Sequence, residues 1–342
     1  MTHKERQIAA VLRKGADRVS KDVIVIENGE SILGRTDCNY FDRASTGYEQ
    51  LLRLIDTDGR IVFGPRYLGE TKKEHNEWGA PYANDYGTTH QWPLAHVQSL
   101  SDLKKYKPPD PDNYDFAACA ELAKCYSSEY AIRGPYHLSL FCTQNSLFGM
   151  ENNMIRMVSE PDIFDAVTEM IFEHNYRYLE NYLKAVGDDL DFLYIGDDVG
   201  TQRGLMFNPT LWHKFFSKKY RAYCELGKKY GKMIWFHACG DITSILPDLI
   251  DCGIDVWETV QLHTLPISPA ELKREFGADI TFFGGVNTQN LPFITPAKVR
   301  EEAQRCIDVL GVGGGYILGP DHHIKYDITA GNTLALFGAV ER

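Results

Sequence analysis

From about residue 115 onward, the chain alternates between short apolar runs and longer amphipathic segments. The apolar runs have the composition of buried strands, and the segments between them place apolar residues at the spacing of one helix face. The longest of these segments follows Ser159, has Pro161 in its first turn, and continues through Ile163, Val167 and Met170. One more apolar run precedes residue 115. The seven predicted strands cover residues 22–28, 130–136, 191–198, 232–239, 255–261, 278–287 and 313–320.

Strands that alternate with helices indicate parallel βαβ units. The continuous series predicts an α/β fold, a distorted (β/α)8 barrel of the TIM type, with residues 1–342 in a single domain. An open dinucleotide-binding sheet is disfavoured because no GxGxxG motif follows the first strand. The glycine-rich run at 311–315 precedes a strand instead of opening a helix, so a phosphate cradle is the minor alternative there.

The region before residue 115 follows a different pattern. A capping box of Thr2 and Glu5 predicts a first helix that ends at Gly15. Residues 57–98 are rich in glycine, threonine and aromatic residues, with turn signals throughout. We interpret them as β-hairpins or an irregular insertion in the barrel.

Composition narrows the function classes. The 47 acidic and 36 basic residues give a net charge of −11, without a basic stripe, which excludes nucleic acid as the expected partner. No run of about 18 apolar residues exists, so no membrane span is expected. The charged N-terminal segment lacks an apolar signal core, and we expect a cytoplasmic protein. The eight cysteines form no CxxC pair, and most are expected to be small buried hydrophobic residues.

Polar side chains gather at the predicted strand ends. Active sites of such barrels lie at the carboxyl ends of the strands. The polar residues at these positions are Glu27, Asn28, Asp197, Asp198, His237, Cys239, Glu258, Gln261, Asn287, Asp321, His322 and His323.

His237 and Cys239 are the pair with the most distinctive chemistry. Residues i and i+2 of a strand face the same side, so both side chains can reach one metal ion. A thiolate with an imidazole suits Zn2+, and His322 or His323 on the loop after the last strand can supply a third ligand. The alternative is a packed thiol beside a hydrogen-bonded histidine.

The acidic candidates have structural alternatives of their own. Adjacent residues of a strand alternate in direction, so only one of Asp197 and Asp198 is expected to face the site. Asp198 can instead accept hydrogen bonds from a neighbouring loop. For Glu258, a rim position satisfied by a lysine or arginine is the favoured alternative.

Several stretches together resemble the uroporphyrinogen decarboxylase superfamily over nearly the whole chain. They are "THKERQIAAVLRKGADRV", "EWG" followed by "WPLAHVQSLSDLKKYKPPDPD", "FHACGDITSILPDLIDCGIDVWETVQ", and "FFGGVNTQNLPFITPAKVREEAQRCIDVLGVGGGYILGPDHHI". The resemblance implies a (β/α)8 barrel, in agreement with the alternation.

The resemblance allows two chemistries. True uroporphyrinogen decarboxylases use no metal, and an "MRQAGRY"-like segment after the first strand binds the carboxylates of their substrate. Here that place reads "IENGESILGRTDCNYFDR", with only Arg35 and Arg43 nearby. A substrate with many carboxylates needs more positive charge.

The other chemistry is that of the cobalamin-dependent methyltransferases. These enzymes bind zinc through a His-x-Cys pair and a later cysteine in a "PGCG"-like loop. The chain is similar, because the pair matches His237 and Cys239 and the position of the later cysteine falls on His322. The resemblance therefore implies a zinc site of His237, Cys239 and His322, with two imidazoles and one thiolate.

This branch implies a zinc-dependent methyltransferase that moves a methyl group between a small methylated substrate and cobalamin. A methyl ether is the favoured substrate, as in an O-demethylase. Because the chain shows no DxHxxG signature, the cobalamin is expected on a separate corrinoid protein. A metal-independent decarboxylase and a non-catalytic binding barrel are the alternatives, and a homodimer is compatible with the sequence. The expected catalytic residues are Asp198 and His322, and the expected substrate-binding residues are Asp197, Gln202, Glu258 and Asn287.

Overall fold

The computed structural model describes residues 1–39, 46–82 and 92–340. These residues form ten strands: β1 (Ser20–Lys21), β2 (Gly59–Ile61), β3 (Ala131–Leu138), β4 (Phe192–Gly196), β5 (Gly200–Thr201), β6 (Gly204–Leu205), β7 (Met233–His237), β8 (Val256–Val260), β9 (Thr281–Val286) and β10 (Tyr316–Pro320). Eight of them form one parallel sheet in the order β1-β10-β9-β8-β7-β4-β3-β2, and β5 and β6 form a separate antiparallel pair.

Helices surround this sheet on its outer side. Their bounds are α1 (His3–Val11), α2 (Gly29–Leu33), α3 (Thr46–Leu54), α4 (Leu100–Leu103), α5 (Phe116–Tyr126), α6 (Phe141–Phe148), α7 (Met150–Ser159), α8 (Pro161–Val186), α9 (Pro209–Phe215), α10 (Ser217–Lys229), α11 (Leu246–Cys252), α12 (Pro269–Phe276), α13 (Pro296–Leu310) and α14 (Ala330–Phe337). None of the helices within the described ranges is long and apolar enough to cross a membrane.

The two edge strands of the sheet meet, so the sheet is a nearly closed barrel. The Asp58 N–H, just before β2, donates to the Lys21 carbonyl at 2.9 Å, and the Asp58 carboxylate accepts from the Lys21 N–H at 2.9 Å. Register shifts after Pro135 in β3 and after Glu258 in β8 distort the barrel. The predicted distorted (β/α)8 barrel is confirmed.

Two strands differ from the prediction. The first strand pairs with β10 at Ser20–Lys21, and residues 22–28 contain an isolated bridge between Ile26 and Ile324, so the continuous strand predicted over 22–28 is wrong. The sheet has one strand more than the seven predicted, and this strand is β2. It was missed because its three residues lie inside the predicted insertion of 57–98. Within the described part of that segment, an isolated antiparallel bridge joins His75 to Pro81, and residues 83–91 lie outside the described residues. Arg43 also lies outside them.

Smaller differences concern the helices. The sequence from Asn208 to Gly231 predicts one capped helix, but the structure divides it at Phe216 into α9 and α10. Asp241, which the sequence predicts as the cap of the next helix, caps a turn, because its carboxylate accepts from the Thr243 N–H at 2.9 Å. That turn is a 3-10 helix over Thr243–Ile245, and α11 begins only at Leu246.

Alternation along the strands divides the core into an inner and an outer part. Tyr194 and Trp235 point into the barrel, whereas their neighbours Leu193 and Ile234 pack outward against the helices. The same alternation turns Glu258 and His237 inward, and both are buried. A polar layer therefore lies on top of an aromatic barrel interior.

A buried arginine lies beneath that layer. The guanidinium of Arg133 pairs with Asp22, donates to the Val23 carbonyl at 2.7 Å, and lies 4.7 Å from the centre of the Trp235 ring. Its Nε is 4.0 Å from Glu258. The arginine thus supplies the positive charge opposite two carboxylates that are shielded from water.

Candidate metal centre

Three side chains that can bind a metal meet at the carboxyl ends of β4 and β7. The ligand atoms of Asp198, His237 and Cys239 all lie within 4.8 Å of one another. His237 Nε2 is 3.5 Å from Cys239 Sγ and 3.5 Å from Asp198 Oδ1. The structure therefore brings together two predicted ligands and one predicted catalytic carboxylate.

The loop that carries Cys239 is held from three directions. Its backbone N–H donates to Asp198 Oδ1 at 3.0 Å, and the Thr259 hydroxyl donates to its Sγ at 3.6 Å. The next residue, Gly240, donates its N–H to Gln261 at 2.8 Å. A Cβ on Gly240, whose φ is +76°, would lie 2.6 Å from the Thr201 carbonyl, so the close approach of the β5–β6 pair requires glycine here.

Glu258 determines the orientation of His237. Its carboxylate lies 2.8 Å from His237 Nδ1, accepts from Trp235 Nε1 at 2.6 Å, and also accepts from the Tyr194 hydroxyl. A carboxylate on one ring nitrogen fixes the proton there and directs Nε2 toward the other two metal-binding side chains. Glu258 is fully buried, so it is not a residue of the barrel rim. Its hydrogen-bond partners are His237, Trp235 and Tyr194, and not a lysine or arginine at the rim. Its contact with substrate stays a prediction.

The electrostatics favour an ion pair of a protonated His237 and a Cys239 thiolate. Burial lowers the pKa of His237, but the Cys239 thiolate and hydrogen bonds to Asp198 and Glu258 outweigh it and hold this pKa well above its usual value. Burial likewise raises the pKa of Cys239, but His237 and a hydrogen bond from His322 bring it below the ordinary value. The neighbouring groups thus stabilise Cys239 as a thiolate, which is the form that binds a cation.

The two histidines after β10 face different partners. His322 lies close enough to Cys239 to help lower the pKa of its thiol, whereas His323 lies 3.4 Å from the Tyr136 hydroxyl and 3.6 Å from Glu27. Burial lowers the pKa of His323 to about 3, so its ring is neutral. His322 lies at the edge of the site but outside the group of three whose ligand atoms converge. Its role as a ligand stays a prediction.

The remaining predicted site residues lie elsewhere. Asp197 is fully buried, accepts from the backbone N–H groups of residues 140–142 and from the Tyr220 hydroxyl, and so anchors the start of α6. Burial raises the pKa of this carboxyl to about 6. Gln202 is exposed in the β5–β6 turn, and Asn287 caps the turn after β9 by accepting from the Gln289 N–H at 2.9 Å. None of these three is part of the group around His237.

Sequence reasoning missed the support beneath the site. Tyr194 and Trp235, which donate to Glu258, were interpreted only as strand residues. Their inward parity, shared with His237, was the available signal. Gln261, seen as polar, also contacts the Asp321 carbonyl at 3.4 Å and so ties the loops after β7 and β10 together.

Fold and site define a parallel eight-stranded barrel protein with a candidate metal centre at the carboxyl ends of its strands. Residues 87–342 match the family model described as uroporphyrinogen decarboxylase (URO-D), which is more than half of the chain. The protein belongs to this family.

A solved structure agrees on the fold. A methyltransferase from Methanosarcina mazei superposes with a TM-score of 0.65 at 17% sequence identity, over 99% of this chain and 98% of that chain. At this identity the likeness shows a shared fold over the whole length. Comparison with curated proteins gave no match.

The role of Glu258 gives a first prediction. Glu258→Gln replaces the carboxylate with an amide that holds His237 Nδ1 less firmly, and we expect metal affinity to fall by about 10–100-fold. Competition with a chromophoric zinc chelator measures the change.

Glu49→Gln is the matched control, because Glu49 also pairs with an arginine, Arg60, but on the outer helix α3. Equal zinc affinity in Glu258→Gln and the unaltered protein would show that Glu258 does not orient the ligand.

Proposed function

We propose that the protein is a zinc-dependent methyltransferase that moves a methyl group between a small methylated substrate, best a methyl ether, and the cobalamin of a separate corrinoid protein. The observation that carries this proposal is the group of Asp198, His237 and Cys239, with Glu258 on the second nitrogen of His237. The methyltransferase with the same fold supports it.

The donor set fits zinc. Thiolate, imidazole and carboxylate are the usual protein ligands of Zn2+, and an oriented imidazole is typical of such sites. Three protein ligands leave a fourth position open, which is typical of catalytic and not structural zinc. The sequence predicted His322, beside Cys239, as the third ligand, and in that role it would take the place of Asp198, so the fourth position stays open.

Held by Asp198, His237 and Cys239, zinc would supply a Lewis acid for the substrate oxygen as it becomes the leaving group. Demethylation would break the oxygen–methyl bond, leave the electron pair on the oxygen, and give the methyl group to the reduced corrinoid of the partner. The protein's residues prepare this exchange. Glu258 holds a proton on His237 Nδ1, and Asp198 orders the Cys239 loop through the backbone N–H at 3.0 Å. Where Asp198 completes the three ligands, His322 is left to give a proton to the leaving oxygen or, in the reverse direction, to take one from the hydroxyl that accepts the methyl group.

Metal-independent decarboxylation is the second candidate, favoured by the name of the family model. It needs cations that bind several carboxylates. Arg35 instead pairs with Asp37 on the exposed surface, and Arg133 is buried against Asp22. These engagements support methyl transfer over decarboxylation.

Metal removal tests the proposal. We expect about one zinc per chain, since the three ligands form one centre. We also expect a methyl-transfer rate from 2-methoxyphenol to cob(I)alamin that falls to the uncatalysed rate after chelation. Elemental analysis and the cobalamin absorbance spectrum report the two quantities.

Adding zinc back is the control, and magnesium is the matched negative control, because Mg2+ prefers sites made only of oxygen ligands. A protein that binds no zinc, or one that releases carbon dioxide from a porphyrinogen at the same rate with and without chelator, would contradict the zinc mechanism.

A further inference from the structure

A cavity of about 320 Å3 lies beside the metal centre, between the ends of β2 and β3 and the helices α6 and α8. Tyr136 forms its wall on the side of the metal centre. The Tyr136 hydroxyl lies 3.4 Å from His323 Nε2, and its ring packs edge-on against Tyr194 at 5.2 Å. Tyr194 in turn donates to Glu258, so Tyr136 connects the cavity wall to the residues that orient His237.

Aromatic rings form much of the lining. Besides Tyr136 they are Trp78, Tyr114 and Tyr178. Tyr114 and Tyr178 meet edge to face at 4.9 Å, and Trp78 meets the His174 ring edge to face at 4.6 Å. Because the rings hold one another, the cavity is preformed and offers flat apolar surface to a ligand.

Neutral polar groups complete the lining. His174 lies 3.1 Å from Asn175 Oδ1 through Nδ1 and 3.3 Å from the Tyr114 hydroxyl through Nε2. Burial lowers the pKa of His174, so this ring is neutral at pH 7. A Cβ on Gly64 would lie 2.6 Å from the Tyr178 hydroxyl, so glycine at 64 leaves the room that this hydroxyl occupies.

The charge of the lining selects among ligands. Among the described residues around the cavity, Glu77 is the one charged side chain, and none is a lysine or arginine. A carboxylate or phosphate buried there would lack a partner, at a large cost in free energy. Glu77 is half-buried and lies close enough to Tyr114 to help raise the pKa of its hydroxyl.

We infer that this cavity binds the body of the methyl donor, an uncharged molecule with one aromatic ring, with its methyl-bearing oxygen at the Tyr136 end. The assignment rests on the proposed function, because it places a methyl ether next to the metal centre. Tyr136 has a φ of +91°, a backbone conformation that residues other than glycine rarely adopt. Residues in such conformations cluster at ligand-binding sites. In this assignment the Tyr136 ring lies between the bound donor and the residues that support His237.

Calorimetric titration with 2-methoxyphenol tests this site. Ser146 lines the cavity from α6 and donates to the Thr143 carbonyl at 2.6 Å, so Ser146→Phe fills the space. Ser159→Phe is the matched control, since Ser159 is exposed at the end of α7 and donates to the Ile155 carbonyl at 3.0 Å. We expect Ser146→Phe to weaken binding by at least about tenfold and Ser159→Phe to leave it unchanged.

Two further probes check the charge argument. We expect 4-hydroxy-3-methoxybenzoate, which adds a carboxylate to the same ring, to bind at least about tenfold more weakly than 2-methoxyphenol. Tetramethylammonium that binds more tightly than 2-methoxyphenol would overturn the uncharged class in favour of a cation.

Ser146→Leu, a smaller filling residue, serves if the phenylalanine variant does not fold.

The outcomes separate the site from the function. The cavity assignment is overturned if Ser146→Phe and the unaltered protein bind 2-methoxyphenol equally well, or if neither binds it. It is also overturned if Ser146→Phe transfers the methyl group at an undiminished rate. Binding that is lost in Ser146→Phe, in a protein that transfers no methyl group, keeps the cavity and removes the proposed function.

Discussion

Cys239→Ser will lose zinc and, with it, methyl transfer. Replacing an outer partner of a zinc ligand already costs about 10–100-fold in affinity, so we expect the loss of the ligand itself to exceed about 100-fold. The physical reason is the thiolate. The pKa of Cys239 lies below its ordinary value because His237 and His322 overcome the effect of burial, whereas a serine hydroxyl stays protonated. Zinc content after dialysis and the rate with cob(I)alamin measure both losses.

Cys125→Ser is the matched control, because Cys125 is a free, exposed cysteine on α5. It is expected to keep full zinc content and rate. A Cys239→Ser protein that keeps one tightly held zinc would place the metal on other residues and remove the centre described here. Retained zinc affinity with a lost rate would instead give the thiolate a role in the reaction beyond holding the metal.

Arg133→Met will destabilise the barrel. Removing one partner of a buried ion pair costs about 3–5 kcal/mol, because the opposite charge stays buried without compensation. Here the loss leaves Asp22 without its arginine and removes the positive charge 4.0 Å from Glu258. Denaturant unfolding followed by circular dichroism gives the change in the free energy of unfolding.

Arg177→Met makes the same substitution on the surface of α8, where Arg177 pairs with Asp112 at 2.8 Å and both side chains are about half exposed. Exposed ion pairs contribute little, so this control is expected to unfold like the unaltered protein. Adding Asp22→Leu to Arg133→Met is expected to recover part of the loss. Equal stability of Arg133→Met and the unaltered protein would show that the buried carboxylates are not ionised.

Much of the fold was predictable because its signals are local. The alternation of apolar runs and amphipathic segments gave the barrel, and capping residues gave the starts of α1 and α9. Strand β2 was missed because three residues are too few to show a period of two. The division of the helix at Phe216 was missed because the apolar spacing continues through it.

The candidate site was predictable in part for the same reason. His237 and Cys239 lie two apart at a strand end, so the sequence alone determined that they share a side. It also determined that the adjacent Asp197 and Asp198 point apart, and the structure turns Asp197 to α6 and Asp198 to the centre.

Only the tertiary structure decided what lies opposite these residues. The group of three contains Asp198, His322 approaches Cys239 from the edge, and His323 turns to Tyr136. Glu258, predicted to bind substrate, supports His237 because β8 pairs with β7 in a register that sets Glu258 beside it. The reason is that strand period depends on neighbouring residues, whereas register and barrel closure depend on contacts between segments far apart in the chain.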